Sequence, residues 1–222
     1  MTLYLEYVEG PSLAHQSWCT RLGFMFQGTT EDAWTILTDL SRGLAFLHSR
    51  GIVHNDLKPA NVLYSRERGA VICDLGLASV VKKTRGYGSP WYVGPENLNP
   101  AHLRVAADDC WSLGIIALFA LEVIALPDAT FEGWQISQMA SNGSTAEAAA
   151  IRWYDMVKAI RRELDTPDQG ARLVLIGGAG TELASRGDAR RGRLVQFLLR
   201  LTEQDPTKRP TAEVVLEMLV EQ

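Results

Sequence analysis

Four side chains in one short stretch could do chemistry together. Asp56 offers a carboxylate, Lys58 an ammonium two positions on, and Asn61 an amide oxygen three positions beyond that. A second carboxylate, Asp74, follows thirteen residues after Asn61. Transfer of a phosphoryl group asks little covalent work of a protein and much positioning. It needs a carboxylate near the attacking hydroxyl, a cation near the phosphoryl oxygens, and hard oxygen ligands for Mg²⁺. The run His54-Asn55-Asp56-Leu57-Lys58-Pro59-Ala60-Asn61 supplies those types at a workable spacing. Taken alone, an aspartate in such a loop is more often a cap than a base, so the set carries the information. His54 reads as a packed structural histidine rather than an acid or base.

Those side chains lie between regular elements that must hold them. Thr2 to Val8 alternates β-branched and aromatic residues, which predicts a strand. Glu9 to Ser12 breaks it, with Ser12 placed to cap a short helix. Thr29-Thr30-Glu31-Asp32 opens a second helix, along which Trp34, Leu37, Leu40, Leu44 and Phe46 recur at helical spacing. Residues 52–65 and 70–74 predict two small strands around a loop. Asp108 to Leu126 predicts a helix; its apolar part, from Trp111, is short for a bilayer and is interrupted by Glu122, so it reads as a buried central helix. Ser141-Asn142-Gly143-Ser144 is a break. Ala150, Trp153, Val157, Ile160 and Leu164 then mark an amphipathic helix. A glycine-rich loop is expected over 165–190. Within it Ile176-Gly177-Gly178-Ala179-Gly180 lacks both the third spaced glycine and the lysine of a phosphate loop. Leu194 to Leu201 and Val214 to Val220 close the chain, the latter with Thr211 as cap. The fold class is mainly α with a few short β-strands.

Bulk properties narrow the partners. A length of 222 residues suits one domain with a sizeable core. A net charge of -4 with no long basic run argues against nucleic acid. The three cysteines, Cys19, Cys73 and Cys110, are far apart, which supports neither a disulfide framework nor a zinc site. The first ten residues carry glutamates and no basic region, so they do not read as a signal peptide. These features predict an intracellular, cytoplasmic protein, with the nucleus left open.

The spacing of five elements makes a resemblance explicit. The run 54–61 resembles the catalytic loop of the eukaryotic protein kinase family, serine/threonine type, and Asp74-Leu75-Gly76 resembles its metal-binding element. Gly88-Ser89-Pro90-Trp91-Tyr92-Val93-Gly94-Pro95-Glu96 is similar to its substrate-docking segment. Asp109-Cys110-Trp111-Ser112-Leu113-Gly114 is similar to the start of its central helix, and Asp205-Pro206-Thr207-Lys208-Arg209-Pro210 to its last motif. Leu3 to Leu13 resembles the last strand of the small lobe plus the hinge.

The resemblance implies roles and a cofactor pair, ATP and Mg²⁺. Asp56 would be the catalytic base and Lys58 would reach the γ-phosphate. Asn61 and Asp74 would bind Mg²⁺. The backbone of Glu6 and Val8 would meet adenine, with Leu63 as its floor. Ser89 would bond the catalytic pair, and Ser89 and Tyr92 would belong to the substrate-docking segment. His54, Glu96, Asp109 and Arg209 would be structural, Asp109 anchoring the catalytic loop and Arg209 pairing with Glu96. Asn55 replaces the family's arginine, so switching by loop phosphorylation is expected to be weak or absent.

The expected architecture is the family's large C-terminal lobe without its small β-rich lobe. Residues 1–12 would be the small-lobe remnant and hinge, and 13–222 the large lobe. No glycine-rich lid, strand lysine or helix glutamate can be found in the sequence. Phosphoryl transfer to protein hydroxyls is therefore expected to be weak or conditional. The alternatives are a catalytically inactive pseudokinase acting as an interaction module, or a fragment of a full kinase. The exposed strand at 2–8 is expected to seek a second copy or a partner chain.

Overall fold

Twenty residues, Thr30–Ser49, form α1, and their first turn is tied at both ends of a capping box. In this computed structural model, which describes residues 6–21, 24–84, 88–129, 143–165 and 195–220, the Thr29 N–H donates to Asp32 Oδ2 at 2.7 Å, and the Asp32 N–H to Thr29 Oγ1 at 3.1 Å. The Asp32 carboxylate also accepts from Tyr64 Oη at 2.8 Å and from both Arg66 Nε and Nη2 at 2.9 Å. One carboxylate thus fixes the start of α1 to the strand that carries Tyr64. Ile36, Leu37, Leu40 and Leu44 are fully buried. Phe46 is 56 % exposed and lies off that face. Residues two apart on a helix do not share a side, so Leu44 and Phe46 could not both face inward. Arg50 stacks over the Phe46 ring instead, 3.6 Å from its centroid.

Two small antiparallel ribbons follow. The strand β1, Ile52–Val53, pairs with β4, Ser79–Val80. Between them β2, Val62–Ser65, pairs with β3, Gly69–Ile72, in the register Val62↔Ile72 to Ser65↔Gly69. Asp56, Lys58 and Asn61 lie in the connection from β1 to β2, and Asp74 in the one from β3 to β4.

The N-terminal expectations need correction. Residues 6–8 are not a strand, and Tyr7 is 86 % exposed; residues 2–5 lie outside the described residues. Ser12 caps no helix. It bridges to Leu63, the Leu13 N–H donates to Val62 O at 2.9 Å, and the Tyr64 N–H donates to Pro11 O at 3.1 Å. Residues 11–13 therefore lie along the free edge of β2, and 13–18 run in turns.

The helix α2, Ala106–Ala120, is buried from Asp108 to its end, as a central element must be. It stops six residues before the expected Leu126. The Glu122 N–H bonds Phe119 O and the Val123 N–H bonds Leu118 O, while Glu122 adopts φ +59°. This is the Schellman closure of a helix with a glutamate where glycine is usual, so the sequence carries no glycine to mark it. Gly114 lets the 3-10 turn Arg200–Thr202 approach: a Cβ there would sit 2.8 Å from Leu201 Cβ. No described helix is long and apolar enough to cross a membrane.

α3, Gly143–Leu164, absorbs Gly143 and Ser144, which were expected to be part of a break. It buries Trp153, Val157, Ile160 and Leu164 as predicted, and Trp153 Nε1 donates to Trp91 O at 3.0 Å. The rest of that break and the loop over 166–190, glycine run included, lie outside the described residues. Residues 195–199 are helical, and α4, Ala212–Val220, packs on α1. The Val214 N–H donates to Thr211 Oγ1 at 3.3 Å, so Thr211 caps α4.

The Arg66 guanidinium holds the Asp32 carboxyl well below the usual carboxylate range, against the upward pull of burial, with Thr29 and Tyr64 assisting. A carboxyl depressed in the folded state stabilises fully above its unfolded pKa, about 3.9, and loses that contribution as pH falls through the folded value. Asp32→Asn should cost about 2 kcal/mol at neutral pH. Urea unfolding from pH 7 down to pH 2.5 should show the two proteins converging only below about pH 4.

Candidate active site

The catalytic-loop residues are held from behind by a carboxylate with no exposure to solvent. Asp109, in the first turn of α2, accepts the His54 N–H at 2.8 Å on Oδ2 and the Asn55 N–H at 3.0 Å on Oδ1. His48, near the end of α1, adds its Nε2 at 2.9 Å. The buried His54 ring passes the constraint forward. Its Nε2 must donate to Cys73 O at 3.1 Å, since a carbonyl only accepts, which leaves Nδ1 to accept the Asp56 N–H at 3.3 Å. His54 thereby links the loop of Asp56 to the loop of Asp74.

At the front, Asp56, Lys58, Asn61 and Ser89 converge. Asp56 Oδ1 accepts from the Ser89 N–H and Oγ–H, both at 2.9 Å. Its Oδ2 lies 2.9 Å from Lys58 Nζ and accepts from Asn61 Nδ2 at 3.2 Å. Lys58 also donates to Ser89 Oγ at 2.7 Å. Burial pushes the Asp56 carboxyl up, but the Lys58 ammonium and the two Ser89 hydrogen bonds outweigh it and hold the group below its usual range. The carboxylate is therefore ionised at neutral pH and can accept a proton.

Asn61 spends its amide hydrogens on the Asp56 carbonyl and carboxylate, which turns its Oδ1 away from that duty. The Cys73 N–H donates to Asn61 O at 2.9 Å, bringing Asp74 alongside. Asp74 is exposed, adopts φ +61° and accepts the Gly76 N–H at 3.2 Å. An amide oxygen and an uncompensated carboxylate on adjoining loops are a donor set suited to a hard divalent cation.

Other expected positions fall differently. Leu63 is half-buried and bridges to Ser12. The Glu6 carboxylate pairs with Arg68 at 2.6 Å, and Val8 is half-buried. Tyr92 is only 1 % exposed: it donates Oη to Asp128 at 2.6 Å, and its carbonyl accepts Ser112 Oγ–H. Glu96 and Arg209 form a two-pronged pair at 2.7 Å on each prong, with Arg209 also donating to Glu203 O and Ala107 O.

Some site residues carried no signal in the sequence. Arg104 is 1 % exposed and bonds Asn55, Asn97 and Asp108, yet nothing in its local pattern marks it as buried. His48 likewise reads as a helix-end histidine until α2 brings Asp109 to it. Glu96, His102 and Asp108 cluster closely enough to suggest a metal. Arg209 and Arg104 already neutralise the two carboxylates, so the cluster is an ion-pair network. A groove of about 450 Å³ opens between α1 and β3, lined by Phe46, Leu47, Ile72 and Leu75 among others, beside Asp74 but without Asp56 or Asn61 in its wall.

The loop residues Asp56, Lys58 and Asn61 meet Ser89 in one cluster, backed by the buried Asp109 of the central helix. The profile of the protein kinase domain matches residues 1–220. The chain is 33 % identical over 186 residues to the mitosis inhibitor protein kinase wee1 of Schizosaccharomyces pombe, covering 82 % of this chain and 19 % of that protein. It is 33 % identical over 178 residues to CBL-interacting protein kinase 10 of Oryza sativa, covering 76 % and 37 %. With CBL-interacting serine/threonine-protein kinase 18 of Arabidopsis thaliana it shares 32 % over 174 residues, covering 74 % and 32 %. The chain belongs to the protein kinase domain family. It spans well under half the length of these relatives. The profile begins at residue 1, so the match lends no support to the expectation of a missing small lobe.

Removing the Glu96 carboxylate would leave the Arg209 guanidinium buried and unpaired. Glu96→Ala should therefore cost about 3–5 kcal/mol. The double variant Glu96→Ala with Arg209→Leu should recover part of that loss in denaturant titration, whereas strictly additive losses would mean the pair is not coupled.

Proposed function

We propose that these residues transfer the γ-phosphoryl group of ATP to serine or threonine hydroxyls of proteins. The observation that carries the reading is the convergence of Asp56, Lys58, Asn61 and Ser89 through hydrogen bonds of 2.7–3.2 Å. Asp56 is ionised and partly shielded from water, so it can orient an incoming hydroxyl and take its proton as the oxygen attacks phosphorus. Lys58, tethered between Asp56 and Ser89, keeps an ammonium within reach of the phosphoryl oxygens. Ser89 holds Asp56 Oδ1 in place and leaves Oδ2 for Lys58, Asn61 and the hydroxyl. Asn61 Oδ1 and the Asp74 carboxylate are the groups that would hold Mg²⁺. When bound, the ion neutralises charge on the phosphate oxygens. Leu63 and the backbone of Glu6 and Val8 are the proposed adenine contacts.

Activity of the 222 residues by themselves is weak or conditional in this reading. They contain no glycine-rich lid with a following strand lysine. Asp74 and Leu75 stand open to solvent, and Leu75 is 54 % exposed. Each charge-assisted contact that nucleotide lacks here is worth about 1.5–3 kcal/mol, and tenfold in affinity corresponds to about 1.4 kcal/mol. Water at the phosphates also weakens every electrostatic contribution to the transition state. Cover from outside these residues would raise the rate. Protein substrates fit a serine/threonine kinase, and a net charge of -4 with no long basic run argues against nucleic acid.

The test compares this chain with Asp56→Asn for Mg-ATP-dependent phosphate transfer to a generic basic protein, alongside the thermal shift with Mg-ATP. Wild type should incorporate phosphate slowly and Asp56→Asn at least about a hundredfold more slowly. Ser89→Ala should fall between the two. Equal incorporation by wild type and Asp56→Asn would end the enzymatic reading. A stable complex with another protein and no nucleotide shift would favour a non-catalytic interaction module.

A further inference from the structure

Asn55 occupies the position before Asp56, and its side chain is fully employed. The residue is 4 % exposed and has φ +70°, a left-handed backbone that asparagine tolerates better than most non-glycine residues. Nδ2 donates to Leu77 O at 2.7 Å and to Ser79 Oγ at 2.9 Å. Oδ1 accepts from Arg104 Nε at 3.1 Å, and the Asn55 carbonyl accepts from Arg104 Nη2 at 3.0 Å. Arg104 is in turn held by Asn97 Oδ1 at 2.8 Å and Asp108 Oδ1 at 3.2 Å. Its backbone joins the same segment: the Arg104 N–H donates to Thr84 O, and the Lys82 N–H donates to Arg104 O. Gly88 closes on this point, since a Cβ there would sit 2.5 Å from Asn55 O.

We propose that Asn55 and Arg104 form a clasp that fixes residues 77–84 to the catalytic loop of the unmodified chain, and that both act as positioning residues for Asp56. The catalytic half of this inference rests on the phosphotransferase reading; the clasp does not. The chemistry selects asparagine. Leu77 O needs a donor and Arg104 Nε needs an acceptor, and an amide presents one at each end of a rigid plane. An aspartate would offer acceptors alone, and an arginine or lysine donors alone. Arg104 is charge-balanced by Asp108, so no added anion is required to hold the segment. The clasp reaches Asp56 by two routes: it grips the peptide between Asn55 and Asp56, and it seats Gly88 just before Ser89, whose N–H and Oγ–H hold the Asp56 carboxylate.

Two variants test this. Asn55→Gly keeps the left-handed backbone and removes the side chain. Asn55→Asp keeps the size and the acceptor for Arg104 and removes the donors to Leu77 and Ser79. Amide exchange at Val81, bonded to Gly51 O, and at Lys82, bonded to Arg104 O, should accelerate about tenfold in both variants. Exchange in α1 and the body of α2 should stay as in wild type, which separates clasp loss from misfolding. In phosphotransfer, kcat should fall about tenfold with the KM for ATP unchanged, because neither residue is a nucleotide contact. Unchanged exchange at Val81 and Lys82 in either variant overturns the clasp. Accelerated exchange with kcat intact overturns the positioning role. A wild type with no transfer at all sinks the enzymatic reading, and exchange still decides the clasp.

Discussion

A buried carboxylate with no solvent must be paid for by its neighbours, and Asp109 sets the terms for everything in front of it. An ion taken out of water costs several kcal/mol unless donors surround it. Asp109 meets that demand with the main-chain N–H groups of His54 and Asn55 and the ring of His48. Two successive amides aimed at one side chain leave the loop almost no freedom. The position of α2 therefore dictates the course of the chain into Asp56. The burial of α2 in turn needs α1 on one side and the 3-10 turn Arg200–Thr202 on another, which Gly114 admits at close range. Ser112 of the same helix grips the Tyr92 carbonyl, and Trp153 of α3 grips that of Trp91. Both faces of the site, the catalytic loop and the Ser89–Glu96 segment, are thus referred to one central helix.

The parts of this arrangement that were legible in the sequence are those whose information is local. The opening of α1 at Thr29 to Asp32 and the type-and-spacing pattern from Asp56 to Asp74 each lie within a short stretch, whereas the strand expected over 52–65 is interrupted by residues 54–61 and only 62–65 pairs with 69–72. The Glu96–Arg209 pair joins residues far apart in the chain, and it was visible only because both belong to motifs that the family resemblance supplied. Misreadings arose where two local signals compete or where none exists. Phe46 fits an apolar list but not the face that Leu44 occupies. Ser12 has the chemistry of a cap, yet the free edge of β2 offered its neighbours a better use for their hydrogen bonds. Glu122 ends α2 in a left-handed conformation that nothing about glutamate announces. Tyr92 was expected only as part of a docking segment, and no local signal announces that Asp128 and the core take its ring inward.

Arg104 and Asn55 show why buried polar networks resist sequence reading most of all. A guanidinium inside a protein is expected only where partners wait for it. Those partners, Asn55, Asn97 and Asp108, are spread over three separate segments and each looks ordinary alone. The departure at Asn55 was legible as a difference from the family pattern. Its compensation by a buried arginine from elsewhere required coordinates.

The charges of the front face divide into a closed set and an open one. Asp56 is matched within the loop by Lys58 and by the two Ser89 donors, so this part is complete before any ligand arrives. Asp74 differs: among the described residues its carboxylate accepts a backbone N–H from Gly76, and no cationic side chain pairs with it. Its left-handed backbone holds the charge in an exposed position beside Asn61. An open, uncompensated carboxylate next to a second carboxylate is stabilised chiefly by the water that screens it. A site of this form gains most from a ligand that brings positive charge and excludes water at the same moment. In the proposed function, that requirement would tie cation binding, nucleotide binding and cover to one event.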